Sequence, residues 1–320
     1  MDGAEIASRH NLLLWISLAV PLPPSDADAL RQAIDITTDE LTVFIALQKT
    51  KDDSDSDKWS HMQRRITELY TVAANHSFHQ QQRADTKVDI VPLDFCAYSP
   101  DDMQPFKHNA TLIQGSGALG VPEWWPAEMH SNTKRSLLPP PPLALVEQST
   151  RAPAPWPTYA HVAVGGTFDH LHVGHKILLT ATALAATKRI VCGISADALL
   201  EGKQYKEYLE TFRARELGVL MFLRKIRKNI IVELVPIVDR YGPTITDSTI
   251  GALVVSQETL PGSEALNDRR GELGMPPMRL LAVDLVASAA ATGAEEDTGD
   301  LKISSTTIRA ALAAKHHHRM

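Results

Sequence analysis

Val164 to Lys176 reads Val-Gly-Gly-Thr-Phe-Asp-His-Leu-His-Val-Gly-His-Lys. His172 and His175 stand three residues apart across Gly174, just after Thr167, Phe168 and Asp169. Gly165 and Gly166 carry no Cβ, so a phosphate can approach the backbone there without a clash. A helix beginning at this point presents free amides and a positive dipole end to an anion. Two imidazoles three residues apart at such a start can point into the same anion. The parts together predict a nucleotide-phosphate site at a strand-to-helix turn.

Other chemistries fit the segment less well. No Gly-x-x-x-x-Gly-Lys-Ser/Thr loop occurs in the chain, and the turn lacks the third glycine of a dinucleotide fingerprint. His170, His172 and His175 could suggest zinc, but a zinc site needs a further ligand at fixed spacing and only Asp169 is near. A glycine-rich turn with surface histidines is the bland alternative. A second segment, Lys302 to Arg309 (KISSTTIR), bears on it. Hydroxyl residues opening a helix make a phosphate cradle, and an Arg one turn in can grip a polyphosphate bidentately. Alone, such a run is also an ordinary N-cap. Paired with the histidine turn, it favours phosphate.

The elements that hold these segments alternate. After residue 158, strands are expected at Val162–Val164, Arg189–Ser195, Ile230–Val238, Ala252–Ser256 and Arg279–Ser288. Helices are expected at Val173–Thr187, Tyr208–Arg227, about Ser263–Glu272 and Ser305–Ala314. This predicts a doubly wound, Rossmann-like parallel sheet with its ligand at the carboxyl ends of the strands. Before residue 138 the pattern is weaker. Leu12–Val20 reads as a buried strand, Asp39–Gln48 as another and Trp59–Ala74 as a helix, while Gly115–Trp125 is turn-rich. His76 and His79 read as a solvated helix end, and Lys51–Lys58 as a charged loop. We therefore expect an N-terminal accessory α/β domain at 1–137, a proline-rich linker at 138–157, and a Rossmann-like domain carrying both motifs at 158–320. No internal repeat is evident.

Composition bounds the function. The chain has 320 residues, 44% hydrophobic and 22% charged, with a net charge of −6. That balance argues against a nucleic-acid partner. Cys96 and Cys192 are too few for a disulfide scaffold and suit a reducing compartment, the cytoplasm. The apolar run at 12–20 follows acidic residues and is shorter than the roughly 20 needed to span a bilayer, so no membrane partner is expected.

The motifs resemble a known family. GGTFDHLHVGH with KISSTTIR is similar to the HxGH nucleotidyltransferase superfamily. Glu233–Asp247 (ELVPIVDRYGPTITD), Leu253–Thr259 (LVVSQET) and Asn267–Arg270 narrow the resemblance to eukaryotic, fungal-type phosphopantetheine adenylyltransferases. It covers residues 160–315. The N-terminal half resembles the leaders of fungal members. The resemblance implies an enzyme that joins ATP to 4′-phosphopantetheine, giving dephospho-coenzyme A and pyrophosphate, with Mg²⁺ accompanying the ATP. It implies that Thr167 contacts the attacking phosphate and ATP, and that His172 and His175 donate to the reacting phosphates. Gly165, Gly166, Phe168 and Gly174 would shape the ATP turn. Ser304, Ser305, Thr306 and Arg309 would hold the β- and γ-phosphates. Lys203, with Lys206 as its rival, would orient the reacting phosphates, and Asn267 and Arg270 would contact the nucleotide. Asp239, Tyr241 and Gly242 form a family-typical loop or an ordinary turn.

The resemblance further implies one catalytic step, because no kinase motif follows Arg309, and a complex with other coenzyme A enzymes. The closing KHHHRM reads as a frayed tail with no metal site. Two rivals stand beside this reading: a cytidylyltransferase of a small phosphorylated alcohol, whose usual RTEGIST block is replaced here by KISSTTIR, and a non-catalytic nucleotide-binding subunit.

Overall fold

The computed structural model describes residues 7–16, 22, 24–47, 58–79, 86–93, 106, 110–114, 133–135, 157–283 and 304–317. The turn at 115–125, the segment 138–156 and most of 51–58 lie outside them. The chain divides into two compact units, the second beginning at Pro157.

In the N-terminal unit the run Leu12–Leu14 is completely buried, as expected of a strand covered on both faces. It lies in β1 (Ala7–Ile16), which starts earlier than its apolar run suggests. α1 (Pro24–Asp35), β2 (Thr37–Leu47), α2 (Lys58–His79), β3 (Lys87–Pro92), β4 (Ala110–Gln114) and β5 (Thr133–Arg135) follow. The sheet order is β3-β2-β1-β4-β5, and every pair is parallel. Ala29, Leu30, Ala33 and Ile34 of α1 are fully buried; each such Leu or Ile contributes about 1.5–3 kcal/mol. α1 is missing from the sequence expectation; Pro24 opens the helix, a position proline favours. His76 does not sit in solvent: its Nε2 lies 2.7 Å from Asp35 Oδ1, joining α2 to the end of α1.

The second unit has β6 (Tyr159–Gly166), α3 (Val173–Ala185), β7 (Ala186–Ser195), α4 (Phe212–Ile226), β8 (Ile231–Ile237), β9 (Ala252–Ser256), α5 (Leu260–Glu272), β10 (Arg279–Val283) and α6 (Ser305–His317). Its sheet is again fully parallel, in the order β10-β9-β6-β7-β8. The chain winds from β6 outward to β8, then returns to place β9 on the other side of β6. That reversal is the crevice where such sheets hold ligands. Ala163, Val191, Leu253, Val255, Leu266 and Met278 pack a core between the sheet and α5.

Several boundaries differ from expectation, and one cannot be compared. The helix expected from Tyr208 starts at Phe212, because the Thr211 hydroxyl accepts the Ala214 amide and caps it there. Strand β10 is described to Val283; the rest of Arg279–Ser288 lies outside the described residues. The closing helix runs on to His317, and the His316 ring meets the Tyr208 ring edge-on at 6.4 Å. Among the described residues no helix is long and apolar enough to cross a membrane.

Candidate active site

Strand β6 ends in Gly165 and Gly166, and the chain turns sharply to reach α3. Phe168 and His170 hold φ of 53° and 46° to make that turn, a conformation side chains rarely adopt. A Cβ on Gly166 would lie 3.1 Å from the Phe168 ring, so glycine is what lets the aromatic fold beneath the turn. His172 then caps α3, and its side chain makes no capping hydrogen bond.

The rings of His172 and His175 stack at 3.9 Å, and Phe168 lies 5.3 Å from His175. Burial pushes His172 down to about 4 and His175 well below the usual imidazole range. Both rings are therefore neutral near pH 7, and their Nδ1 atoms are buried without a hydrogen-bond partner.

The turn is braced from two sides. Arg215, 1% exposed, donates to the carbonyls of Thr167 (2.9 Å), Ser195 (2.8 Å) and Glu210 and to the Asp197 carboxylate. It thereby ties the turn to the carboxyl end of β7. On the other side Asp169, fully buried, pairs with Arg309 of α6. Arg309 also donates from Nε to Gln204 O and from Nη2 to Thr306 Oγ1. The Ser305 hydroxyl donates to the Asp169 carbonyl at 2.9 Å, and the Glu210 amide donates to Asp169 Oδ1. So α6 is fastened under the histidine turn, beside the loop that bears Lys203 and Lys206.

A cavity of about 390 Å³ opens at the crevice. Gly165, Gly166, Phe168, His172, Gly174 and His175 line one wall. The far wall is Ile237, Arg240, Tyr241, Pro243 and Thr244 of the loop after β8, with Thr259, Gly262, Ser263 and Leu266 from α5 and its approach. Ser195 and Ser256, at the ends of β7 and β9, complete it. Asp239 Oδ1 accepts the amides of Tyr241 and Gly242, which shapes the loop.

The sequence expectations meet this geometry unevenly. The two histidines, three glycines and Phe168 share the cavity. Thr167 sits at the turn with its carbonyl held by Arg215. Ser304, Ser305 and Thr306 open α6, but they do not line this cavity. Lys203 and Lys206 are exposed and off it. Three assignments change. Arg309 has all three guanidinium nitrogens engaged in the interior, bracing the turn, and it does not line the cavity. Arg270 is fully buried and donates to the carbonyls of Pro276, Thr244, Asp247 and Ile250. Asn267 exchanges two hydrogen bonds with the backbone of Met278. Both fasten α5, and neither lines the cavity. Sequence reasoning missed Arg215, Arg240 and the α5 hydroxyls; the segment Asp-Arg-Tyr-Gly-Pro was the one signal for Arg240. Among the described residues no group of three or more His, Cys, Asp or Glu side chains could hold a metal ion.

The chain is similar to known proteins. It is 36% identical over 155 residues to the phosphopantetheine adenylyltransferase of Methanopyrus kandleri, covering 48% of this chain and 92% of that protein. It is 43% identical over 150 residues to the phosphopantetheine adenylyltransferase of Saccharomyces cerevisiae, and 46% identical over 151 residues to an uncharacterized protein of Schizosaccharomyces pombe. Each of those two matches covers 47% of this chain, and the chain spans about half the length (48%) of each fungal relative. No family model matches.

Proposed function

Because the chain belongs to the phosphopantetheine adenylyltransferase family, we propose that it transfers the adenylyl group of ATP to 4′-phosphopantetheine. A phosphate oxygen of the acceptor attacks the α-phosphorus, the bond to the β-phosphate oxygen breaks, and dephospho-coenzyme A and pyrophosphate leave. The observation that carries the reading is the pair of neutral, stacked imidazoles at the start of α3, facing a cavity at the reversal of the sheet.

Such a transfer asks a protein mainly to position two anions and neutralise charge that builds up in the transition state. His172 and His175 would donate N–H groups to the α-phosphate and the departing pyrophosphate. The free amides at the start of α3 add to them. Ser304, Ser305 and Thr306, at the start of α6, would receive the β- and γ-phosphates, and Lys203 would orient them from the adjoining loop. The Arg309–Gln204 bond supports that last role, since it tethers the neighbour of Lys203 to α6. Thr167 would touch the attacking phosphate. The apolar wall of Phe168, Ile237, Tyr241 and Leu266, interrupted by Ser195, Thr259 and Ser263, suits the alkyl and amide arm of pantetheine. In this reading the site is of the HxGH nucleotidyltransferase kind. Mg²⁺ arrives with ATP as part of that substrate, liganded by phosphate oxygens and water. The cytoplasm is the proposed setting, and Cys192 is a buried free thiol.

Pyrophosphate release by the full chain tests the proposal. ATP with phosphopantetheine should support turnover, and CTP with phosphocholine or glycerol phosphate should not. Turnover on the second pair alone would overturn it.

A further inference from the structure

The cavity has almost no charge of its own, although both substrates of the proposed reaction are anions. Its two histidines are kept neutral by burial. The remaining lining groups are glycines, hydroxyls and apolar side chains, with one exception. Among the described residues that line it, Arg240 alone carries a permanent charge.

The loop that bears Arg240 leaves β8, an edge strand, and ends against α5, which follows β9. Strands β7 and β6 lie between them in the sheet, so residues 238–245 cross the carboxyl ends of both. Arg240 is set by two contacts. Its guanidinium lies over the Tyr241 ring at 5.2 Å, and Nη2 reaches the Gly262 carbonyl of α5 at 3.4 Å. Asp239, the acid beside it, is turned to the amides of Tyr241 and Gly242 instead. A stacked guanidinium spends a face and keeps its in-plane donors. One long bond uses one of five donors, which leaves an edge able to take two phosphate oxygens.

We infer that Arg240 is the residue that receives the phosphate of the acceptor and so sets its affinity; the inference rests on the adenylyl-transfer reading. The acceptor is favoured over ATP because the anion-binding start of α6 is fastened to the opposite side of the turn. There Ser305 holds Asp169 and Arg309 holds Gln204, whereas Arg240 is anchored to α5.

The test uses the full chain with Arg240→Gln and Arg240→Lys. Arg240 is exposed, so the melting temperature should not move. With saturating MgATP, Arg240→Gln should raise the KM for phosphopantetheine about tenfold or more, the scale of a lost charged hydrogen-bond pair. kcat and the KM for ATP should stay within about threefold, and Arg240→Lys should recover part of the loss. Calorimetric binding should show the same weakening for phosphopantetheine and none for pantetheine, which lacks the phosphate. An unchanged phosphopantetheine affinity, a rise in the ATP KM instead, or equal weakening of pantetheine would overturn the inference. A wild-type protein without turnover on phosphopantetheine would defeat the adenylyl-transfer reading, while the calorimetric comparison would still decide what Arg240 binds.

Discussion

Replacing Arg309 by leucine separates its two possible roles. Its Nη1 faces the carboxylate of Asp169, and the two side chains are 2% and 0% exposed. Without the guanidinium, Asp169 keeps the Glu210 amide, with the His170 ring 3.7 Å away. Removing one member of a buried pair costs about 3–5 kcal/mol, because the charge left behind cannot reach water. For a unit of this size, each kcal/mol lowers the melting temperature by about 2–4 °C. The transition of the second unit should therefore fall by about 6–20 °C in scanning calorimetry. Asp169→Asn combined with Arg309→Leu should cost clearly less than the two single changes added, since the stranded charge is gone. The protein that remains folded at low temperature should bind ATP within about threefold of the wild type. A melting temperature that stays put while the ATP KM rises tenfold would refute the strut and return Arg309 to the phosphates.

Three further outcomes are expected. His175→Ala should lower kcat by at least about a hundredfold, the scale of one lost transition-state donor, read as pyrophosphate release. Stability should fall in acid: unfolded histidines take up protons near pH 6.5, while folded His172 resists until about pH 4 and His175 is also held well down. The contribution is complete above about pH 6.5 and is lost as pH falls toward 4. Urea unfolding at pH 7.5 and pH 5 should differ by about 2 kcal/mol from His172 alone, and His172→Asn should remove that share; equal stability at both pH values would contradict it. Gly242→Ala should destabilise by about 1–3 kcal/mol, because Gly242 holds φ at +51° and a Cβ there would overlap Ile237 Cγ2; a circular-dichroism melt checks this.

The β6–α3 turn was legible because its parts are local: glycines where the chain turns, and imidazoles at the first turn of a helix. The parallel sheet of the second unit followed from alternation, whereas its strand order is read from the structure. What stayed hidden depends on distant partners. A basic residue after a strand looks the same in sequence whether it faces a ligand or, like Arg270, turns inward to four carbonyls of neighbouring segments. Arg215 reads as one more charge on an amphipathic helix until folding brings Thr167 and Ser195 to it. Asp169 reads as a possible metal ligand, but its partner stands 140 positions away. The likeness between the two sheets was invisible for another reason. The order β3-β2-β1-β4-β5 repeats that of the second unit, yet Ser17–Pro23 has neither glycine nor histidine where the second unit has its turn.

The unpartnered Nδ1 atoms of the histidine pair bear on proton traffic. A proton there would be a buried donor without an acceptor, which favours Nε2 as the site of each ring's single hydrogen. Burial outweighs the opposing pull of Asp169 on His172, so both rings resist taking a second proton. The pair is thus wired to lend hydrogen bonds, not to relay protons. This matches the proposed reaction, whose nucleophile, a phosphate already ionised at neutral pH, has no proton to surrender. Turnover above neutrality should accordingly run with no solvent isotope effect assignable to a proton in flight.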